Sequence, residues 1–233
     1  MGQSWIEFWD RQTVMDDQSW SKNVELFLKG AAGFFPFAPD DRVLDIGAGP
    51  GFLGLALRGR VAAYTGVDTS PRYVDEARRR LAGLDGFEVL PLGQDYLDFS
   101  FLRPRRFTRI VCASVVQYYQ SVAEVERLVE EVQALADPGA TLLIADIVTG
   151  GHGLADLAGL LKSAWENHYL LPVLRFIVRS LGGDYGQTRK SLGLLELRRG
   201  DFDAVVAHLG LHGEWRDDVL TLNKNRRHYL IRY

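Results

Sequence analysis

The stretch "VLDIGAGPGFLG", residues 43–54, constrains this chain more than any other. An apolar run is interrupted by one acid, Asp45, and then by glycines at 47, 49, 51 and 54. A strand that flows into so bare a backbone lets a ligand approach with no Cβ in the way. In an open parallel sheet, ligands sit at the carboxyl ends of the strands near the switch in strand order. The loop after the first strand is that place. Gly49-Pro50-Gly51-Phe52-Leu53-Gly54 fits the G-x-G-x-x-G spacing. Asp68 ends the next strand about 20 residues on, where an acid grips a ribose. Any adenosine-containing cofactor would satisfy both features.

The remaining sequence supplies the sheet. "RVLDIGAG" (42–49), "VAAYTGVDTS" (61–70), "GFEVLPLGQDYLDF" (86–99), "FTRIVCASVVQYY" (107–119) and "ATLLIADIV" (140–148) read as five strands, the third running on into a loop. Helices alternate with them. Ser70 caps one that has Pro71 at its first position. "SVAE" (121–124) reads as a capping box, and "DPG" stops the helix it opens. This alternation predicts a parallel sheet with helices on both faces. After Val148 the rhythm changes to leucine-rich helical patterning over 153–181. A helix over 201–210 follows, then "VLTL", the turn "NKN" and "RRHYLIRY", which read as a terminal hairpin. The predicted organisation is an N-terminal helical lid (1–35), a core (36–148 and 201–233), and a helical cap (149–200) over the ligand edge.

Composition narrows the function classes. A hydrophobic fraction of 47% fills a core, and a net charge of −3 gives no overall basic field for nucleic acid. The lone Cys112 forms no disulfide framework, and the N-terminus has no apolar signal core. No run of about 18 apolar residues spans a membrane. A cytoplasmic protein acting on a small molecule is expected.

Three features then separate a dinucleotide from S-adenosylmethionine. Asp45 lies inside a strand, where a carboxylate is costly without a partner. A cationic amino-acid tail would be such a partner, and a pyrophosphate would be repelled. The loop after the third strand offers Gln94, Asp95 and Tyr96, a place where an adenine amine can be read. The sheet ends in a hairpin rather than another crossover. An oxidoreductase would also need a hydride-transfer site. The residues four after Tyr64, Tyr73, Tyr118 and Tyr185 are Asp68, Ala77, Val122 and Arg189, so no Tyr-x-x-x-Lys pair is present there.

On these motifs the chain resembles a class I S-adenosylmethionine-dependent methyltransferase. The likeness runs through residues 40–148 and, topologically, the terminal hairpin. "VLDIGAGPG" is similar to the family's first motif, which implies cofactor contacts at Asp45, Gly47, Ala48, Gly49 and Gly51. "VDTS" implies Asp68 and Thr69 at the ribose, and "GQDYLDF" implies Asp95 at the adenine amine and Tyr96 beside it. "RIVCASVVQYY" implies Ala113 and Ser114 near the methionine moiety, and Trp9 is a candidate lid residue. The resemblance also implies the fold: an α/β, doubly wound, mostly parallel seven-stranded sheet with one reversed strand.

Methyl transfer is an in-line displacement, so most of the barrier reduction comes from placing the nucleophile about 3–3.5 Å from the methyl carbon. The expected acceptor is a hydroxyl of a secondary metabolite, with carbon or nitrogen methylation and a non-methylating role as alternatives. A hydroxyl benefits from a general base. His152, in "TGGHG", ranks first, His168 second and Tyr118 third. No metal is expected, because the fourth strand ends in Ala113-Ser114 rather than an acid and Asp146 stands alone near the end of the fifth.

Overall fold

The computed structural model describes residues 4–11, 15–150 and 190–233, together with Leu161, Trp165, Leu174 and Thr188. Seven strands form one sheet in the order β3-β2-β1-β4-β5-β7-β6. They are β1 (Arg42–Ile46), β2 (Ala63–Asp68), β3 (Phe87–Pro91), β4 (Phe107–Ala113), β5 (Ala136–Ile147), β6 (His212–Arg216) and β7 (Arg227–Arg232). The first five pair in parallel, and β7 lies antiparallel between β5 and β6. The α/β fold with a single reversed strand is the one the sequence implied.

Alternation along β1 sorts the core into two layers. Val43 faces the layer filled by Phe27 and Ala31 of α2 (Asp17–Ala31), Leu53 and Leu57 of α3 (Phe52–Leu57), and Val74 and Ala77 of α4 (Pro71–Arg80). Leu44 and Ile46 face the other, filled by α5 (Val122–Leu135) and α6 (Arg199–His208). Successive strand residues point to opposite faces, so Asp45 shares the Val43 side, beneath α3. The short helix α1 (Trp5–Arg11) packs Trp5 and Phe8 against Tyr118 and Leu194 rather than into either layer.

The glycine loop enters α3 through Gly51, at φ +83°. A Cβ there would lie 2.8 Å from the Ala77 Cβ, so α3 and α4 approach only because the side chain is missing. Gly59 has a similar φ of +68°, but a Cβ added there would meet nothing within 4 Å. Gly51→Ala should therefore destabilise the protein by about 2 kcal/mol more than Gly59→Ala, since only the first adds overpacking to the backbone cost. Urea unfolding of the two variants checks this, and equal losses would show that α4 yields freely.

Three local readings are corrected. The terminal hairpin is built from "HGEWR" and "RHYLIR", not from "VLTL". "VLTL" is apolar because it packs on α2: a Cβ on Gly30 would meet the Val219 carbonyl at 2.3 Å, and Leu220 is buried. The segment "DPG" does not separate α5 from β5. Ala136 already pairs with Phe107, and the register shifts between Phe107 and Arg109, so the irregular residues are absorbed as a break inside the strand. Ser121 makes no side-chain cap. Glu124 instead accepts from the Gln120 N–H at 2.8 Å, one residue upstream of the box expected. Most of the predicted cap lies outside the described residues, as do His152 and His168.

Candidate functional site

The carboxyl edge of β1, β2 and β4 gathers most of the candidate residues. The carboxylate of Asp68 closes the end of β2 onto the glycine loop: one oxygen accepts from the Gly49 N–H at 2.8 Å, the other from the Ser70 N–H at 2.9 Å. Gly47 and Ala48 donate to the Val67 carbonyl, completing the turn. Thr69 and Ser70 lead into α4, where the Ser70 hydroxyl accepts from the Tyr73 N–H. Burial pushes the Asp68 carboxyl above its ordinary range, and the N–H donors of Ser70, Gly49 and Thr69 pull it back.

Asp45 lies under this loop, 4% exposed. Its partner is the Tyr64 hydroxyl, which donates at 2.5 Å. Two glycines make that reach possible. Gly66, paired with Asp45 across the strands, and Gly54 on α3 would each press a Cβ against the Tyr64 ring. Burial raises the Asp45 pKa to about 7, with the Tyr64 hydrogen bond opposing the rise and the Asp68 charge adding to it. An acid so raised gains most from a cation brought beside it.

The N-terminal helices close over the loop. The Trp20 ring on α2 lies 3.3 Å from where a Gly49 Cβ would be, and Arg80 of α4 donates to the Pro50 carbonyl and pairs with Asp17. Asp10 accepts from the Ser70 hydroxyl at 3.2 Å, and the Trp9 carbonyl accepts from Arg72 at 3.1 Å. The Trp9 ring meets Tyr118 at 5.6 Å between centroids, and Trp5 meets it at 4.8 Å. Helix α1 thus bridges the ends of β2 and β4, bringing Trp9 and Tyr118 together.

Other candidates are placed differently. Gln94 and Asp95 are exposed, and Asp95 is paired with Arg127 of α5 and accepts from the Leu97 N–H, which holds its pKa below the usual range. The Tyr96 ring packs beside Tyr119 at 5.7 Å. Ala113 and Ser114 lie next to the glycine loop, since a Cβ on Gly47 would meet the neighbouring Val115 side chain at 2.3 Å.

Asp146, expected without a second carboxylate beside it, has partners of other kinds. The Ser114 hydroxyl donates to it at 2.7 Å, Arg226 pairs with it at 3.4 Å, and its own N–H donates to His228 Nδ1 at 3.1 Å. Among the described residues no three His, Cys, Asp or Glu side chains converge as a metal site, and no helix is long and apolar enough to cross a membrane. The basic run 103–109 is spent at the opposite edge on Glu131, Glu88 and Asp41.

Sequence reasoning missed Trp20, Tyr64, Arg80 and the surroundings of Asp146. The glycine at 66, between Tyr64 and Asp68 in a strand, was the one readable sign of the Tyr64 ring, because a bare strand position marks a close approach.

Residues 43–139 match a family model described as a methyltransferase domain. A stretch of 108 residues is 33% identical to the chondramide synthase cmdD of Chondromyces crocatus. That match covers 45% of this chain and 3% of the synthase, so the chain spans a small fraction of that relative's length. A chain from the complex of the Haloferax volcanii Trm112 methyltransferase activator is similar in fold, with a TM-score of 0.62 and 17% identity over 100% of this chain and 98% of that one. The N-methyltransferase NodS of Bradyrhizobium japonicum, solved with S-adenosylhomocysteine, gives 0.58 and 15% over 97% and 96%. The match to a methyltransferase domain falls on the strands and loops that build this edge, and the sheet shares its fold with the solved structures named above.

Proposed function

We propose that this chain transfers a methyl group from S-adenosylmethionine to a small-molecule acceptor, with a hydroxyl of a secondary metabolite as the acceptor group. One observation carries the cofactor reading: the Asp68 carboxylate at the end of β2, locked to the Gly49 N–H beside a side-chain-free loop. A carboxylate offers about four lone-pair positions. The two backbone bonds leave capacity for the hydroxyls of a ribose.

The neighbouring residues suit the rest of that ligand. Asp45 would hold the cationic amine, Gly47 to Gly51 would admit the amino-acid tail, and Trp9 and Trp20 would exclude water from above. The cofactor supplies an activated methyl on a positively charged sulfur. What the chain adds is placement. A nucleophile held within about 3–3.5 Å of the methyl carbon gains most of the available acceleration.

Thermal unfolding with S-adenosylhomocysteine tests this reading. At 100 times its Kd, the ligand should add about 2.7 kcal/mol of stability. Stabilisation by NAD(P)H and not by S-adenosylhomocysteine would refute it.

A further inference from the structure

Two described residues other than glycine hold a left-handed backbone: Ser114 at φ +60° and Asp146 at φ +66°. They lie at the carboxyl ends of adjacent strands and bond to each other, Ser114 Oγ donating to Asp146 Oδ2 at 2.7 Å. Such conformations persist only where the surroundings enforce them, and they cluster at functional sites. Here the enforcement is visible. The β5–β7 register shifts between Ile144 and Ile147, and the buried His228 accepts the Asp146 N–H on Nδ1 while its Nε2 contacts the Asp218 carbonyl at 3.0 Å. With Nδ1 accepting, the proton sits on Nε2, and burial lowers the pKa of this imidazole. The side chain of Asp146 is thus aimed by its own backbone. Arg226 braces the second oxygen at 3.4 Å, and Thr221 donates to that same oxygen at 3.4 Å.

The position of this cluster gives its role. Crossing from β2 to β1, β4 and β5 along the carboxyl edge takes three inter-strand steps of about 4.8 Å, roughly 14 Å in all. That distance fits a ribose gripped at Asp68, the sulfur beyond it, and one acceptor group. Resting on the methyltransferase reading, we propose that Asp146 is the acceptor-side catalytic carboxylate, taking the proton of an acceptor O–H or N–H, with Ser114, Arg226 and His228 as positioning residues. The acceptor's lone pair forms the bond to the methyl carbon, the carbon–sulfur pair stays on sulfur, and the acceptor's proton passes to Asp146. Charge balances, since the sulfonium and the carboxylate are both neutralised. The assignment displaces Tyr118, whose ring is packed between Trp5 and Trp9.

The test needs no knowledge of the acceptor. Sinefungin is an S-adenosylhomocysteine analogue with an amine-bearing carbon in place of the sulfur, so it puts an ammonium at the methyl position. Titration calorimetry would compare both ligands on the wild type and on Asp146→Asn, a substitution the left-handed backbone tolerates. The expected result is a sinefungin preference that falls at least 10-fold in Asp146→Asn while S-adenosylhomocysteine affinity stays within twofold. Ser114→Ala should reduce the preference less. An unchanged preference in Asp146→Asn would overturn the assignment with the cofactor reading intact. A wild type that binds neither ligand would overturn the cofactor reading and this proposal with it.

Discussion

Asp68→Ala should lose S-adenosylhomocysteine affinity and apoprotein stability together. The carboxylate is placed to make a charge-assisted hydrogen bond to a ribose hydroxyl, worth about 1.5–3 kcal/mol, so its loss should lower affinity roughly 10- to 150-fold. The stability loss has a separate cause. The same two oxygens accept from the N–H groups of Gly49 and Ser70, both in the turn that seats the glycine loop. Each buried donor left unpaired costs about 1–3 kcal/mol. Relief of the buried charge offsets part of this, leaving a loss of about 2–4 kcal/mol. Asp68→Asn retains one acceptor oxygen and should fall between. Urea unfolding without ligand and calorimetry with it separate the two effects. Unchanged affinity in both variants would mean that the ribose is bound elsewhere; unchanged stability would mean that the loop holds its shape without the carboxylate.

The sheet was legible because each of its first five strands is an apolar run bounded by turn chemistry. Ser70 followed by Pro71 even marked the first turn of α4, and the structure has that cap. The errors came where pattern and packing part. "VLTL" looks like a strand by composition, yet its apolar residues cover Gly30 of α2. "HGEWR" carries few apolar residues, yet Trp215 stacks edge-on against Phe202 and Tyr229, and the pairing of β6 with β7 rests on contacts far apart in sequence.

The candidate site divides in the same way. The glycines and the two acids were readable because backbone conformation and charge burial restrict which residues fit, whatever surrounds them. Tyr64 was not, because its role depends on the space left by Gly54 on α3 and by Gly66 further along its own strand. Asp146 was judged by its neighbours in sequence. Its partners come from β4, β7 and the connection before β7, up to 82 residues away.

The second large effect is a pH dependence set by Asp45. In the unfolded chain this carboxyl has its ordinary pKa of 3.8, and in the fold burial raises it to about 7. Between those values the folded state holds a proton that the unfolded state has released. The contribution to stability is therefore full below pH 3.8 and lost as pH rises to 7, at about 1.4 kcal/mol per unit. Asp45→Asn removes the titration and keeps an oxygen to accept from Tyr64. Relative to the wild type, the variant should gain about 2–3 kcal/mol between pH 5 and pH 7. His228, whose pKa burial lowers, acts with the opposite sign below pH 6.5, but it is common to both proteins and cancels in the difference. The ligand supplies an independent reading of the same group. A cationic amine favours the ionised carboxylate, so S-adenosylhomocysteine should bind more tightly to the wild type as pH rises from about 6 to 8, with proton release on binding. In Asp45→Asn that dependence should vanish. A flat stability difference would mean that Asp45 is already ionised at pH 5. A stability difference of the expected size with no pH dependence of binding would separate the buried acid from the cofactor's amine, leaving Asp45 a structural partner of Tyr64 alone.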